Sequence, residues 1–208
     1  MWVRNSAIRP VSEAAKIPIE ALYAVESWLC VDDAPGDEDL AEERLNDRFE
    51  MFELAQPALA AHVGDSLNRT RDDLAIALGY FLALIIWLAF EETFDDQLEQ
   101  VDEFGMQGVV EAVALDEQLR RSDPAEQLET DDVIAMEQPA VLPFIHEHIE
   151  TALEAHAELI DVDAVNRVYR LLLEEILALS YAVRMSGTTQ SEGQPEGEAL
   201  SQSREIYA

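Results

Sequence analysis

The chain has 208 residues, of which 44 are acidic and 13 basic, for a net charge of −31. That field repels nucleic-acid phosphate and anionic lipid, so direct binding of DNA or RNA is not expected. Apolar residues make up 49% of the chain, enough to bury a core and too many for wholesale disorder.

The opening residues, Met1-Trp2-Val3-Arg4-Asn5, lack the charged-then-apolar layout of a secretory signal, so a cytoplasmic protein is expected. Residues 1–11 read as irregular. The stretch Val11 to Tyr23 superficially resembles the start of a helix-turn-helix reader. It departs from that pattern at Pro18, which stands in a turn without glycine. The would-be recognition helix offers Glu20 and Glu26 to phosphates and no Arg or Lys, so amphipathic packing is the better reading.

From Ile17 to Val31, residues Ile19, Leu22, Tyr23, Glu26, Leu29 and Cys30 recur at three- and four-residue steps, which marks one face of a helix. Cys30 is the single cysteine, so no internal disulfide is possible. Its apolar neighbours Trp28, Leu29 and Val31 suggest a small buried hydrophobe rather than a nucleophile.

An acidic loop with Pro35 and Gly36 follows. A second helix then begins near Asp39, aligning Leu45, Phe49, Phe52 and Gln56. Pro57 lacks an N–H and so closes that helix or starts the next, a short helical stretch to Leu67.

Thr70-Arg71-Asp72-Asp73 is a helix start, with Thr70 offering a capping hydroxyl and the acids suiting the positive helix end. Leu74–Phe90 then runs seventeen residues without a charge. Apolar on every side, it suits the centre of a bundle or a bilayer. At least four other helices carry apolar faces that need a partner, which favours the bundle.

Gly105 and Gly108 flank an expected break before a shorter helix ending near Arg121. Thr130 or Asp131 caps a brief helical turn, Pro139 or Pro143 opens a helix to about Leu159, and Asp161 or Asp163 caps the last one, to about Met185. Beyond Gly187 the polar composition reads as a disordered tail. The expected architecture is an all-α, irregular bundle of about six to eight helices around Leu74–Phe90. It comprises one domain over residues 1–186 and a tail over 187–208.

No motif here carries chemistry with any specificity. Three histidines, His146, His148 and His156, fall on one helix, and His146 and Glu150 are spaced to meet on its face. With Glu91, Glu92, Glu174 or Glu175 from other helices they could form a carboxylate-rich metal site, for which His146, His148 and Glu150 are the weak candidates. The Glu-x-x-His pair of bundle metal sites is missing, however. Glu174 is expected on the surface, paired with Arg170, and Glu175 at the boundary. No metal or other cofactor is expected, and nothing gives a positive reason to propose an enzyme.

The acids alternate with apolar residues along the whole chain rather than gathering in one block. They read as a solvated, salt-adapted surface or as a docking face for a basic partner, and less well as a mimic of nucleic acid. The leading functional expectation is a non-enzymatic interaction protein, an adaptor or regulatory subunit, that recruits a protein partner with a basic surface. A bundle metal protein or enzyme using His146 and Glu150, and a single-span membrane-associated protein, are the alternatives.

Overall fold

A computed structural model describes residues 6–30, 38–122, 128–157 and 159–184, with only the backbone described over 38–43. The acidic loop with Pro35 and Gly36 and the tail expected over 187–208 lie outside these residues. Eight α-helices are present among them: α1 Ile19–Leu29, α2 Glu38–Ala55, α3 Pro57–Asn68, α4 Asp73–Phe94, α5 Glu103–Ser122, α6 Thr130–Glu137, α7 Val141–His156 and α8 Val162–Ala182. The protein is an all-α bundle, and the apolar helix lies buried within it.

α4 begins at Asp72, whose Oδ1 accepts the Ala75 amide at 2.8 Å. Thr70 is not the cap. Its hydroxyl turns back toward the Ser66 carbonyl at the end of α3 instead. Along α4 the first half keeps an open side, with Ala77 exposed and Tyr80 and Phe81 half-buried, whereas Leu82 to Phe90 is buried on every side. By length and composition α4 could cross a membrane, but 61% of its most apolar window is covered by the protein itself. α1, α2, α3, α7 and α8 all pack on it.

α8 is the second enclosed helix. The expected stripe of Val165, Val168, Leu172, Ile176, Leu179 and Val183 is buried. Ten consecutive residues, 171–180, are in fact buried all round, because α3 and α5 cover the side of α8 away from α4.

The two central helices run parallel. Near their N-termini the Asp161 amide donates to Asp72 Oδ2 at 2.7 Å, and just beyond their C-termini Leu98 and Val183 form a β-bridge. Between these ties α4 and α8 approach closely at Gly79. A Cβ there would lie 2.6 Å from Leu67 and 3.1 Å from Val168.

Several boundaries differ from expectation. α5 runs through both Gly105 and Gly108. The break comes earlier, at 98–102, and Asp102 Oδ1 accepts the Gly105 amide at 2.6 Å. Each helical glycine costs up to about 1 kcal/mol relative to alanine, which packing of Met106, Val109 and Val113 offsets. α6 is capped by Glu129, with Asp132 reaching back to the Glu129 amide, rather than by Thr130 or Asp131. Cys30 is exposed, because it caps the C-terminus of α1 outside the buried stripe of Leu22, Val25 and Leu29.

The N-terminal segment is a strap. It is irregular apart from a 3₁₀ turn at Glu13–Ala15, yet Ile8, Val11, Ala15 and Ile17 are buried. Buried side chains satisfy its backbone: Val11 N–H donates to Glu137 Oε2 at 2.8 Å, and Gln138 bonds both the Ala15 carbonyl and the Ile17 amide. Asp116, fully buried, accepts from Ser6, the Ala7 amide, Arg120 and Thr130. Burial alone would push the Asp116 carboxyl up, but these hydrogen bonds, Arg120 first, together hold it below its ordinary value.

Candidate functional site

A cleft of about 630 Å³ opens between α1, α2 and the C-terminal end of α4. α1 contributes Ala24, Val25 and Trp28, α2 contributes Arg48 and Met51, and α4 contributes Leu88, Glu91 and Glu92, with Asp95 just beyond. Local structure explains the layout. α4 buries its apolar run up to Phe90 and then changes to acids, so its charged end emerges where α1 and α2 part.

Trp28 and Met51 remain 44% and 42% exposed, large apolar side chains left open beside the carboxylates. The Arg48 guanidinium sits over the Trp28 ring, 4.5 Å from its centroid. Partial burial, opposed by Arg48 and assisted by Asp95, pushes the Glu91 carboxyl above its ordinary value. Asp95 adopts φ 44°, ψ −123°, and is the one non-glycine residue with positive φ among those described. Backbone of this kind costs on the order of 1–3 kcal/mol and tends to persist at functional positions. Here it turns the chain out of α4 at the edge of the cleft.

Such a site is suited to cations. Three carboxylates converge on one opening, and an aromatic face beside them already stacks a guanidinium. It offers no nucleophile paired with a base.

The structure does not bring together the candidate metal ligands weighed from the sequence. His146 is exposed, with Nε2 2.8 Å from the Tyr169 hydroxyl, which in turn donates to Asp131 at 3.2 Å. His148 points elsewhere on α7, joining Glu26 of α1 at 2.8 Å through Nε2 and the Phe144 carbonyl through Nδ1. Glu150 is exposed and bonded to neither histidine. Glu91 and Glu92 belong to the cleft.

Glu174 is not a surface residue. It does pair with Arg170 at 3.3 Å, but α3 covers it, and His62 Nε2 lies 2.8 Å from its carboxylate. Glu175 is fully buried without a hydrogen-bond partner for either oxygen, and burial pushes its carboxyl well above the usual range. Among the described residues no group of three His, Cys, Asp or Glu side chains is placed to hold a metal ion.

Comparison with protein-family models, with curated proteins and with solved structures finds no match. The site therefore stands on its own geometry. Trp28, Arg48, Met51 and Asp95 were not singled out from the sequence. They come from three separate segments with no shared spacing, and only the clustering of Glu91, Glu92 and Asp95 after the apolar run hinted at the place.

Proposed function

We propose that the protein is a non-enzymatic interaction module that captures an arginine- or lysine-bearing segment of a basic protein partner in the cleft between α1, α2 and α4. The carrying observation is the stacking of Arg48 on Trp28 beside Glu91, Glu92 and Asp95. Arg48 occupies the aromatic face as an internal guest would, and an incoming guanidinium takes its place. The acids then neutralise the arriving charge, while Trp28 and Met51 supply the apolar contact that aromatic anchors provide at interfaces. The net charge of −31 speeds encounter with such a partner, and the cleft sets the register. A cytoplasmic location goes with this reading.

The test is titration with an arginine-rich peptide in about 1 M salt, where the Debye length of about 3 Å removes diffuse attraction. The combined Glu91→Gln and Glu92→Gln changes should weaken binding about tenfold or more, and Arg48→Ala should strengthen it by vacating Trp28. Equal affinity for all three proteins would end the proposal.

A further inference from the structure

A second cavity, about 300 Å³, has the opposite electrostatic character and shares no residue with the acidic cleft. It lies between the C-terminal end of α3, α5 and the first half of α8. The parallel alignment of α4 and α8 sets it toward the end of the bundle away from Glu91 and Asp95. His62 and Ser66, one helical turn apart on α3, line it together with Arg69, Arg167, Arg170 and Glu174.

Three of the chain's twelve arginines meet here in the company of one carboxylate, whereas acids outnumber bases 44 to 13 over the whole sequence. That carboxylate is already engaged. Glu174 accepts from His62 and from Arg170 Nε, and Arg170 also reaches Glu117 at 3.2 Å. Among the described residues Arg167 has only a long contact to Asp161, 3.7 Å, between two half-exposed side chains. The Arg69 side chain makes no ion pair or hydrogen bond with any described residue.

Two of the carbonyls at this end of α3 are engaged: Thr70 donates its amide to the Leu67 carbonyl and its hydroxyl to the Ser66 carbonyl. Guanidinium groups repel one another across a shared cavity, and a planar fork of N–H donors matches the oxygens of a phosphate. A chain with so few cations places the underused forks of Arg69 and Arg167 on the same opening.

We infer that this pocket binds a phosphate dianion, as inorganic phosphate or the terminal group of a phosphomonoester, held by Arg69 and Arg167 with Ser66 as an additional donor. Glu174 holds His62 and Arg170 in place at the back of the site. Binding is independent of the acidic cleft, so loss of one leaves the other intact.

The experiment is calorimetric titration of the full chain with inorganic phosphate, paired with thermal melts in phosphate and in potassium chloride at equal ionic strength. Wild type should bind one phosphate per chain, and its melting midpoint should rise more in phosphate than in chloride. The Arg69→Ala, Arg167→Ala double variant should keep the wild-type midpoint in chloride, since both side chains lie at the surface, and lose phosphate affinity about tenfold or more. Titrating phenyl phosphate in parallel shows whether a monoester is accepted in place of the free ion. Equal midpoints in the two salts, no heat of binding, or undiminished binding by the double variant would each overturn the inference.

Discussion

Glu175 sits in the middle of α8 with both carboxylate oxygens enclosed and unpartnered. Burial is the cause of its raised pKa, and the sign of the consequence follows. A carboxyl with a folded value above the unfolded one, about 4.3, leaves stability intact below that value. As pH rises from there toward the folded value, stability falls by about 1.4 kcal/mol per pH unit. Glu175→Met, similar in length and apolar, removes the penalty. Urea unfolding should find the variant more stable than wild type at pH 8, with a smaller advantage at pH 5. An advantage that did not grow with pH would mean the carboxyl finds a partner in solution. Asp116 shows the contrary case, equally enclosed but held ionised by four hydrogen-bonding groups.

Among the helices, α4 and α8 carry the architecture, and Gly79 shows how closely they fit. Alanine ordinarily favours a helix over glycine by about 1 kcal/mol, yet a Cβ at Gly79 would lie 2.6 Å from Leu67 and 3.1 Å from Val168. Gly79→Ala should therefore destabilise, by about 1–3 kcal/mol from overpacking, as read from the denaturation midpoint. A stabilised variant would show that α3 and α8 yield there. The centrality of α4 was legible because an uncharged run of seventeen residues has few homes outside a core or a membrane. The equal enclosure of α8 was not. Glu174 and Glu175 interrupt its apolar pattern: Glu174 is covered from outside by His62 of α3, and Glu175 lies on nearly the same side of α8 as Val168, which faces Gly79 of α4. The N-terminal strap was hidden for a related reason: its partners Asp116, Glu137 and Gln138 lie more than a hundred residues away, and no local spacing announces them. The cleft itself was not legible: its acids only close an apolar run, and its aromatic wall comes from other segments of the chain.

For the whole molecule, the acids outnumber the few cations, and ion pairs such as Lys16–Glu13, Arg121–Glu117, Arg167–Asp161 and Arg184–Glu99 lie at the surface, where each contributes about 1 kcal/mol or less. Self-repulsion should dominate, so the melting midpoint followed by circular dichroism should be higher in about 1 M than in about 0.1 M salt. A flat or falling midpoint would contradict a repulsive surface. Charge alone, though, attracts any basic molecule, whereas the proposed recognition belongs to one cleft. The most direct measurement is a map of backbone amide chemical-shift changes on adding an arginine-rich peptide in about 1 M salt, where long-range attraction is screened. Recognition by the cleft should concentrate the changes at Ala24–Trp28, Arg48–Met51 and Leu88–Asp95, saturating with peptide. Small changes spread over all the acidic helices, or changes centred away from Trp28, would contradict it.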